Sequence, residues 1–585
     1  FFMKHPFIPE DAPFTGDQKS WIAGFKAGLE SAKLIASENV SSISDSSDAD
    51  TPTVNILYGT QTGNAEGLAM DAADIAKSNG INPIVNGLDD ISIDDFSLMQ
   101  NVIVSIATYG EGEMPDNAQL FWEALSSEGM NQLPNMKFAV LALGDTGYDE
   151  FCQAGKLLDK RLEELGATRL VDRIDCDVDY EDFAEEWLNK TIPLTSKNKN
   201  HTSLKSENGQ ANKSKWSRKN PYPSTLSKNT LLSKESSGKE IRHYEFDLGD
   251  SGISYEAGDA LNVMPVNDEE LVRGILVRLN IEEGLIVDGE DLSISDLLKF
   301  QYEIMTPSKD LINAVGSQDS TGELHHILNE GSKDAISDFL WGKDTLDLLN
   351  LNKNIHFTAE EFIKLLKPLQ HRAYSISSSP NKHPGSVHLT VASVRWQNEG
   401  REHKGVCSTF LADRLNDDSK AGIFISKNKS FSIPSDDNAP MIMVGPGTGI
   451  APFRGFLEER QFREASGDNW LFFGDQTRNA DFIYEDELNE FQHTGLLNRL
   501  DLAFSRDQEE KIYVQHKMLE NGKELYDWLE RGGYFYVCGD ASRMAHDVDQ
   551  ALHDLVSTHG KYTQDEAIEY VNNLKREKRY LRDVY

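Results

Sequence analysis

The sequence predicts a multidomain α/β protein, with parallel doubly wound sheets near both ends and a strand-rich region between them. Three observations lead to this prediction. The 585 residues are enough for about four domains. Short β-rich apolar runs alternate with helical patterns at about residues 53–143 and again from residue 439 onward, as in parallel sheets covered by helices. The region between them contains strand patterns and one long, charged helical stretch.

Charge and composition narrow the classes of function. The chain has 58 basic and 96 acidic residues, which gives a formal net charge of −38. A surface this negative repels phosphate groups, which argues against nucleic acid and anionic membranes and favours a basic protein partner. No apolar run reaches the roughly 18–20 residues of a membrane span. The four cysteines form no C-x-x-C pair, so we expect a cytoplasmic protein with neither a disulfide framework nor a bound metal.

Two low-complexity stretches divide the chain. Residues 41–50 are almost entirely Ser and Asp and are typical of a disordered spacer, whereas residues 193–220 form a basic linker in an acidic protein. The linker is either a passive tether or a mobile hinge. We therefore predict five segments: an N-terminal arm and spacer (1–50), a first domain (51–192), the linker (193–220), a second domain (221–435) with a helical insert at about 267–369, and a third domain (436–585).

The N-terminal arm contains a short apolar helical stripe. Its four side chains are spaced at i, i+1, i+4 and i+8, which places them on one helical face: Trp21, Ile22, Phe25 and Leu29. A short helix outside any domain core either folds back on its own protein or binds a partner. We expect the arm to serve assembly, either with further copies of the chain or with another protein.

Three strand ends in the first domain carry residues suited to a phosphate and an aromatic ring. The loop Thr60–Ala65 places hydroxyls and a glycine at the start of a helix, where backbone N–H groups cradle anions. It lacks the G-K-[ST] of nucleotide triphosphatases. The next two loops set Tyr109 and Tyr148 beside glycines, so two rings could enclose a planar aromatic cofactor. The candidate residues are Thr60, Gln61, Thr62, Gly63, Asn64, Ala65, Ala107, Thr108, Tyr109, Gly110, Leu143, Gly144, Asp145, Tyr148, Phe151 and Cys152.

The order and spacing of these three loops resemble the flavodoxin family. The resemblance implies a flavodoxin-like fold for the first domain. It also implies that Thr60–Ala65 hold the phosphate of FMN and that Tyr109 and Tyr148 flank its isoalloxazine ring. The phosphate loop contains neither Lys nor Arg, which fits that family because dipoles and hydroxyls neutralise the phosphate there.

The second domain carries an ordered trio of motifs. An Arg, an aromatic ring and hydroxyls follow one another at residues 372–378, and a turn of small residues at 405–409 leads into a helix. With residues 390–396, they resemble the FAD domain of ferredoxin–NADP reductase-type enzymes, which is an antiparallel β-barrel. The resemblance implies that the first and last motifs hold the pyrophosphate of FAD, that the strand meets the flavin, and that the tryptophan lies on the adenine side. The candidate residues are Arg372, Ala373, Tyr374, Ser375, Thr390, Val391, Ala392, Trp396, Gly405, Val406, Cys407 and Ser408.

The third domain opens with a strand, the sequence G-P-G-T-G at 445–449, and a helix. The glycines let the backbone approach the phosphates of a dinucleotide. The string as far as Arg454 resembles the same reductase family, which implies a Rossmann-like NADPH domain. Arg506 and Lys511 could clamp the 2′-phosphate that distinguishes NADPH from NADH. The candidate residues are Gly447, Thr448, Ser505, Arg506, Lys511, Tyr513, Gln515, Asp547 and Tyr585.

A flavodoxin-like domain joined to FAD and NADPH motifs resembles the diflavin reductase family from Thr51 to Tyr585. The resemblance implies electron transfer from NADPH to FAD, then to FMN, then to a hemoprotein. Within the family it is strongest for members that serve a siroheme sulfite reductase. It also implies that Ser375, Cys538 and Asp583 surround the reacting nicotinamide and that Tyr585 covers the flavin. A soluble general hemoprotein reductase and a non-catalytic flavin-binding scaffold remain alternatives.

Overall fold

The computed structural model describes residues 52–196 and 215–585, except residues 62, 111, 128, 147, 149, 179, 417 and 418. The predicted arm, the central part of the predicted linker and Thr62 lie outside these described residues. Along the sequence, the described chain forms a parallel sheet, a six-stranded antiparallel sheet, a two-stranded hairpin and a second parallel sheet.

The first domain is a parallel sheet covered by helices on both faces. Its strands are β1 Thr53–Gly59, β2 Asn82–Gly87, β3 Asn101–Ala107, β4 Lys137–Leu143, β5 Thr168–Arg169 and β6 Ile174–Cys176. Its helices are α1 Asn64–Ser78, α2 Ile93–Ser97, α3 Gln119–Ser126, α4 Gln153–Glu164 and α5 Glu181–Thr191. The strand order is β2-β1-β3-β4-β5, and β6 pairs with β4. The carboxyl ends of β1, β3 and β4 therefore meet at one edge, which brings the three predicted loops together.

The second domain is an antiparallel sheet around an apolar core. Its strands are β7 Tyr222–Leu231, β8 Glu240–Asp247, β9 Ala260–Met264, β10 Arg372–Ser375, β11 Ser386–Ser393, β12 Arg395–Asn398, β13 Arg401–Lys404 and β14 Lys420–Ser426. The order of the large sheet is β10-β9-β14-β7-β8-β11, and β12 and β13 form a separate hairpin. Between β9 and β10 lies the helical insert, which has its own core and consists of α6 Glu269–Leu279, α7 Ile294–Phe300, α8 Lys309–Gln318, α9 Glu323–Glu330, α10 Lys333–Leu340, α11 Thr345–Asn350 and α12 Ala359–Lys364.

The third domain is a five-stranded parallel sheet. Its strands are β15 Met441–Val444, β16 Asn469–Asp475, β17 Arg499–Phe504, β18 Tyr534–Gly539 and β19 Tyr580–Val584, in the order β17-β16-β15-β18-β19. After the short helix α13 Val406–Thr409 of the second domain come α14 Ile450–Phe462, α15 Arg478–Asp481, α16 Glu485–His493, α17 Val514–Glu520, α18 Gly522–Glu530, α19 Met544–Gly560 and α20 Gln564–Arg576. The order reverses at β15, where such folds bind ligands.

Ion pairs dock the first domain on the third. Arg582 of β19 donates from Nε to Asp116 Oδ2 at 3.0 Å and also contacts Oδ1 of the same carboxylate. Lys578 lies 2.5 Å from Asp90 and 3.5 Å from Asp89. Cations near the end of the chain thus neutralise part of the acidic first domain.

The second domain contacts the first domain close to its phosphate loop. The carbonyl oxygen of Lys427 lies 2.5 Å from the position that a Cβ at Gly63 would occupy. Lys429 forms an ion pair with Glu66 in the first turn of α1, at 3.1 Å. The edge that carries the three loops therefore faces the other two domains.

Residues 215–220, at the end of the predicted linker, contact both neighbouring domains. Arg218 donates to the backbone oxygen of Val178 and pairs with Glu181 at 3.1 Å in the first domain. Trp216 donates from Nε1 to the backbone oxygen of Ser251 in the second domain at 2.8 Å. Separately, no helix in the described part of the chain is long and apolar enough to cross a membrane.

Candidate functional site

The loop after β1 is shaped as an anion site. The Thr60 N–H donates to Asn117 Oδ1 at 2.7 Å, and Thr60 Oγ1 accepts from the Gly63 N–H at 2.9 Å. Gly63 has a φ of 85°, in the left-handed region that glycine adopts without strain, and α1 begins at the next residue. The first turn of α1 offers unpaired N–H groups, which favour a phosphate.

The loops after β3 and β4 are tied to each other and to α4. The Thr108 N–H donates to the Leu143 carbonyl at 2.9 Å, and Thr108 Oγ1 accepts from the Ala154 N–H at 3.2 Å. A Cβ at Gly144 would lie 2.6 Å from the backbone nitrogen of Cys152, so the close approach of these backbones requires glycine. The structure thus brings the three predicted loops to one edge.

The two predicted flanking tyrosines differ in exposure. Tyr109 is half-buried, packs against the core of the third domain, and has its hydroxyl 3.5 Å from the backbone oxygen of Val584. The Tyr148 side chain is 52% exposed. One side of the predicted flavin site therefore faces the domain junction and the other faces solvent.

In the second domain, β10 carries the predicted flavin contacts. Tyr374 packs against the domain core, and burial raises the pKa of its hydroxyl well above the ordinary value. Arg372 is held by Glu303 of the helical insert, with Nη2 3.3 Å from Oε2. The turn after β13 is fixed by Val394, whose carbonyl accepts from the Gly405 N–H at 2.8 Å.

The three predicted catalytic residues come together from two domains. The Ser375 hydroxyl donates to Asp583 Oδ2 at 2.5 Å, and Cys538 Sγ lies 3.9 Å from the same oxygen. Asp583 is opposite Cys538 in the parallel pairing of β18 and β19. Burial raises the pKa of the Asp583 carboxyl and of the Cys538 thiol above their ordinary values. A thiol with a raised pKa is not a nucleophile at neutral pH, so the trio is suited to orientation and electrostatics.

Tyr585 connects this trio to the glycine loop of the third domain. Its N–H donates to the Gly539 carbonyl at 3.0 Å, and its carbonyl accepts from Ala541 at 3.1 Å. The two hydroxyl oxygens of Tyr585 and Thr448 lie 2.9 Å apart. The backbone of Tyr585 is thus fixed and its hydroxyl is tethered, while the side chain remains 63% exposed.

The remaining predicted NADPH contacts cluster beyond the end of β17. Ser505 and Arg506 donate their backbone N–H groups to the carbonyls of Asp475 and Gln476, at 2.9 and 2.8 Å. Gln515 donates to Asp547 Oδ2 at 3.0 Å. Among the described residues, neither the Arg506 guanidinium nor the Lys511 ammonium has a hydrogen bond or ion pair. Unpaired cations in so acidic a chain fit an external anion.

Two predicted cofactor residues are engaged elsewhere. The Trp396 ring stacks on His403 with centroids 5.3 Å apart, and its Nε1 donates to the Gly342 carbonyl at 2.9 Å. Thr390 Oγ1 lies 2.7 Å from the Tyr484 hydroxyl of the third domain. These side chains connect structural elements, and their contacts with a cofactor stay predictions.

Two clusters of potential metal ligands lie among the described residues: His243, Glu245 and His388, and Asp344, Asp347 and His403. Each already contains a cation. Lys228 lies 3.0 Å from Glu245, and Arg401 bridges both aspartates of the second cluster. Burial lowers the pKa of His243 to about 4 and that of His388 to about 2, so both are neutral at pH 7. The clusters are therefore internal polar networks.

One pair beside the glycine loop has no counterpart in the sequence prediction. Lys239, directly before β8, lies 2.6 Å from Asp475, the last residue of β16. Asp475 could have been found as a charged residue at the carboxyl end of an apolar strand, where such sheets bind ligands.

Comparison with known proteins accounts for all three domains. Residues 56–187 match the flavodoxin family model, residues 214–410 an FAD binding domain, and residues 443–550 an oxidoreductase NAD-binding domain. The chain is 38% identical to the sulfite reductase [NADPH] flavoprotein alpha-component of Bacillus subtilis, over all of this chain and 99% of that protein. It is 41% identical to the protein of the same description from Vibrio cholerae, over 97% of this chain and 93% of that protein. The chain belongs to the sulfite reductase flavoprotein family.

Membership makes the chain an NADPH-dependent oxidoreductase with FMN and FAD, and its site residues fit these groups. A Cβ at Gly449 would collide with the Cys538 carbonyl, so only glycine allows the loop to lie directly on β18. Gly447 has a left-handed φ of 59° in the same loop. The Thr60–Ala65 loop fits the phosphate of FMN, and the Gly405–Ser408 turn follows β13 and opens the short helix α13. When bound, the flavins convert the hydride equivalent of NADPH into single electrons.

Tyr585→Ala should raise kcat/KM for NADH proportionally more than for NADPH. If the Tyr585 ring stacks on the flavin as predicted, the nicotinamide must displace a contact worth about 1 kcal/mol. NADPH can offset this through the predicted contacts of its 2′-phosphate with Arg506 and Lys511, and NADH lacks that phosphate. Tyr585→Phe removes only the hydroxyl that Thr448 holds, so it should shift the ratio in the same direction by less. Steady-state kinetics with both cofactors measure the effect, and equal ratios in all three proteins would exclude control of flavin access by the Tyr585 ring.

Asp583→Asn should stabilise the protein while slowing it. Burial raises the pKa of Asp583 in the folded protein, so folding favours the protonated carboxyl. The ionised carboxyl therefore lowers the free energy of unfolding once the pH exceeds about 4, the pKa of an aspartate in the unfolded chain. The variant should therefore have a higher Tm at pH 8, and the difference should shrink as the pH falls towards that value. Turnover with NADPH should fall about tenfold or more, because the variant loses the charge that we predict beside the developing nicotinamide cation.

The control for Asp583→Asn is Asp554→Asn, an exposed aspartate on α19. This control variant should have the same Tm as the wild type at each pH and the same turnover with NADPH. A variant of Asp583 with a lower Tm than the wild type at pH 8 would contradict the assigned cost of burying this charge.

Proposed function

We propose that this chain is the flavoprotein component of an NADPH–sulfite reductase, which delivers electrons to a siroheme hemoprotein that reduces sulfite to sulfide. The observation that carries the proposal is the Ser375–Asp583–Cys538 trio, which β10, β19 and β18 assemble between the proposed NADPH site and the proposed flavin site. The curated relatives that match the whole chain are described as components of that reductase. The four cysteines are free and buried, which is consistent with a reducing, cytoplasmic compartment.

Each part of the site has a proposed role. Thr448 and the glycine loop bind the NADPH pyrophosphate, and Arg506 and Lys511 bind its 2′-phosphate. Ser375, Cys538 and Asp583 orient the nicotinamide and balance the charge that develops on it. Tyr585 excludes water from the flavin face until NADPH displaces the ring. The edge of the first domain holds FMN and later presents it to the acceptor.

The first domain is suited to a basic acceptor. Residues 51–190 contain 26 acidic and 8 basic residues. Some acids pair with Arg582, Lys578, Lys367 and Lys429 of the other domains, but exposed ones such as Asp94 remain. Complementary potentials of this kind raise association rates more than they raise affinity.

Electron delivery to a siroheme hemoprotein should therefore fall steeply between low and physiological ionic strength. Reduction of a small uncharged artificial acceptor should change little, which separates docking from the NADPH reaction. A hemoprotein rate that does not depend on salt would contradict electrostatic docking. Equal rates with an unrelated hemoprotein would favour the general hemoprotein reductase instead.

We also propose that the N-terminal arm serves assembly. Its support is the apolar stripe Trp21, Ile22, Phe25 and Leu29, which lies outside the sequence of the three domains. An apolar helical face of this length gains stability by packing against another surface.

A chain that starts at Thr51 should keep NADPH-driven reduction of an artificial acceptor and lose its oligomeric or partner contacts. Light scattering gives the mass in solution, and co-elution with the hemoprotein gives partner binding. A matched full-length variant with Trp21 and Phe25 changed to Ser should behave like the truncation. Unchanged mass and unchanged partner binding in both proteins would rule out this role.

A further inference from the structure

The glycine loop of the third domain is bordered by an ion pair that joins two domains. Lys239 Nζ from the second domain lies 2.6 Å from Asp475 Oδ1 at the end of β16. A Cβ placed on Gly447 would lie 3.6 Å from Asp475 Oδ2 and 3.9 Å from Lys239 Nζ. Both charged groups are therefore beside the loop that is proposed to bind the NADPH pyrophosphate.

Asp475 is an unusual residue for this position. Its side chain is fully buried, and Oδ2 has no hydrogen-bond partner in the described part of the chain. Oδ1 accepts from the Gln476 N–H at 2.7 Å as well as from Lys239. Burial raises the pKa of this carboxyl. An unsatisfied buried carboxylate oxygen is unfavourable in itself, and beside a site for a dianion it adds repulsion.

Lys239 is positioned by contacts that do not involve Asp475. In the segment before it, the Lys234 N–H donates to the Ala480 carbonyl at 2.9 Å, and the Ser237 hydroxyl bonds to Asp481. These contacts attach residues 234–239 to the short helix α15 that follows β16. The Lys239 side chain is 37% exposed, so its ammonium can turn from Asp475 to a bound anion without rearranging the backbone.

We propose that Asp475 is an affinity-lowering residue of the NADPH site, whose carboxylate competes with the cofactor pyrophosphate for Lys239. Without cofactor, Lys239 and Asp475 neutralise each other. With cofactor, Lys239 is shared with the pyrophosphate, and the Asp475 charge opposes binding. The residue weakens the hold on NADP⁺ after the reaction and so favours its release. The inference rests on the proposed position of the pyrophosphate and is independent of the electron acceptor.

Calorimetric titration of the full-length, flavin-loaded protein tests this with two ligands. NADP⁺ carries both the pyrophosphate and the 2′-phosphate, whereas adenosine 2′-monophosphate carries only the latter. Asp475→Asn should lower the Kd for NADP⁺ about tenfold, because one nearby negative charge is removed, and should leave that of adenosine 2′-monophosphate unchanged. Lys239→Ala should raise the Kd for NADP⁺ at least as much, again with no effect on the smaller ligand.

The matched control is Asp527→Asn, which removes an aspartate from an exposed pair with Lys523 on α18. It should leave both Kd values unchanged. An Asp475→Asn protein that binds NADP⁺ as the wild type does, or more weakly, would overturn the proposal, as would equal shifts for both ligands. If Asp475→Asn fails to fold, Lys239→Ala provides the test, because the Lys239 side chain is partly exposed. An unchanged affinity of Lys239→Ala for NADP⁺ would exclude competition for Lys239. Failure of the wild type to bind either ligand would instead contradict the NADPH site itself.

Discussion

The three domains converge on β19, and the site depends on the alternation of its side chains. Successive residues of a strand point to opposite faces of its sheet. Arg582 accordingly reaches Asp116 of the first domain, whereas its neighbour Asp583 reaches Ser375 of the second. Directly after the strand, Tyr585 reaches Thr448 in the glycine loop. A shift of the strand register by one residue would turn Arg582 and Asp583 to the opposite faces of the sheet. It would break the ion pair with Asp116 and the hydrogen bond with Ser375 at the same time.

The site forms only where the second and third domains pack against each other. Asp583 is partly buried, and within the described part of the chain its carboxyl contacts the hydroxyl of Ser375 and the thiol of Cys538. Removing one partner of a buried polar group leaves the other unpaired, which costs about 1–3 kcal/mol. Because Ser375 and Asp583 are 208 positions apart, the site is complete only when the second and third domains are packed together. The same packing buries the His243–Tyr484 contact and the Arg454 side chain at the interface.

Local signals could be predicted from the sequence, and long-range pairs could not. The loops Thr60–Ala65 and Gly445–Gly449 follow apolar strands and precede helices, so their phosphate chemistry is visible in a few consecutive residues. A resemblance grouped Ser375, Cys538 and Asp583 around the nicotinamide, but the hydrogen bond between Ser375 and Asp583 is seen only in the structure. Lys239 and Asp475 are separated by 236 positions and belong to different domains, so their pairing could not be predicted, although Asp475 is a charged residue at the carboxyl end of an apolar strand. The helical insert was recognisable by its pattern, but the use of Trp396 as a contact to it was not, because stacking on His403 depends on tertiary packing.

The chemistry of the first-domain interface suits a reversible contact. Its edge carries the predicted FMN loops, and Lys427, Lys429 and Val584 contact the side of that edge that faces the domain junction. Both partners of the Lys578–Asp90 pair are partly exposed, and exposed ion pairs contribute about 0–1 kcal/mol each. The Arg582–Asp116 pair is less exposed, so it contributes more to the stability of the docked arrangement, and it orients the first domain on the third. Because these charge pairs lie partly in solvent, salt screens them, whereas a large apolar interface would not be weakened in this way.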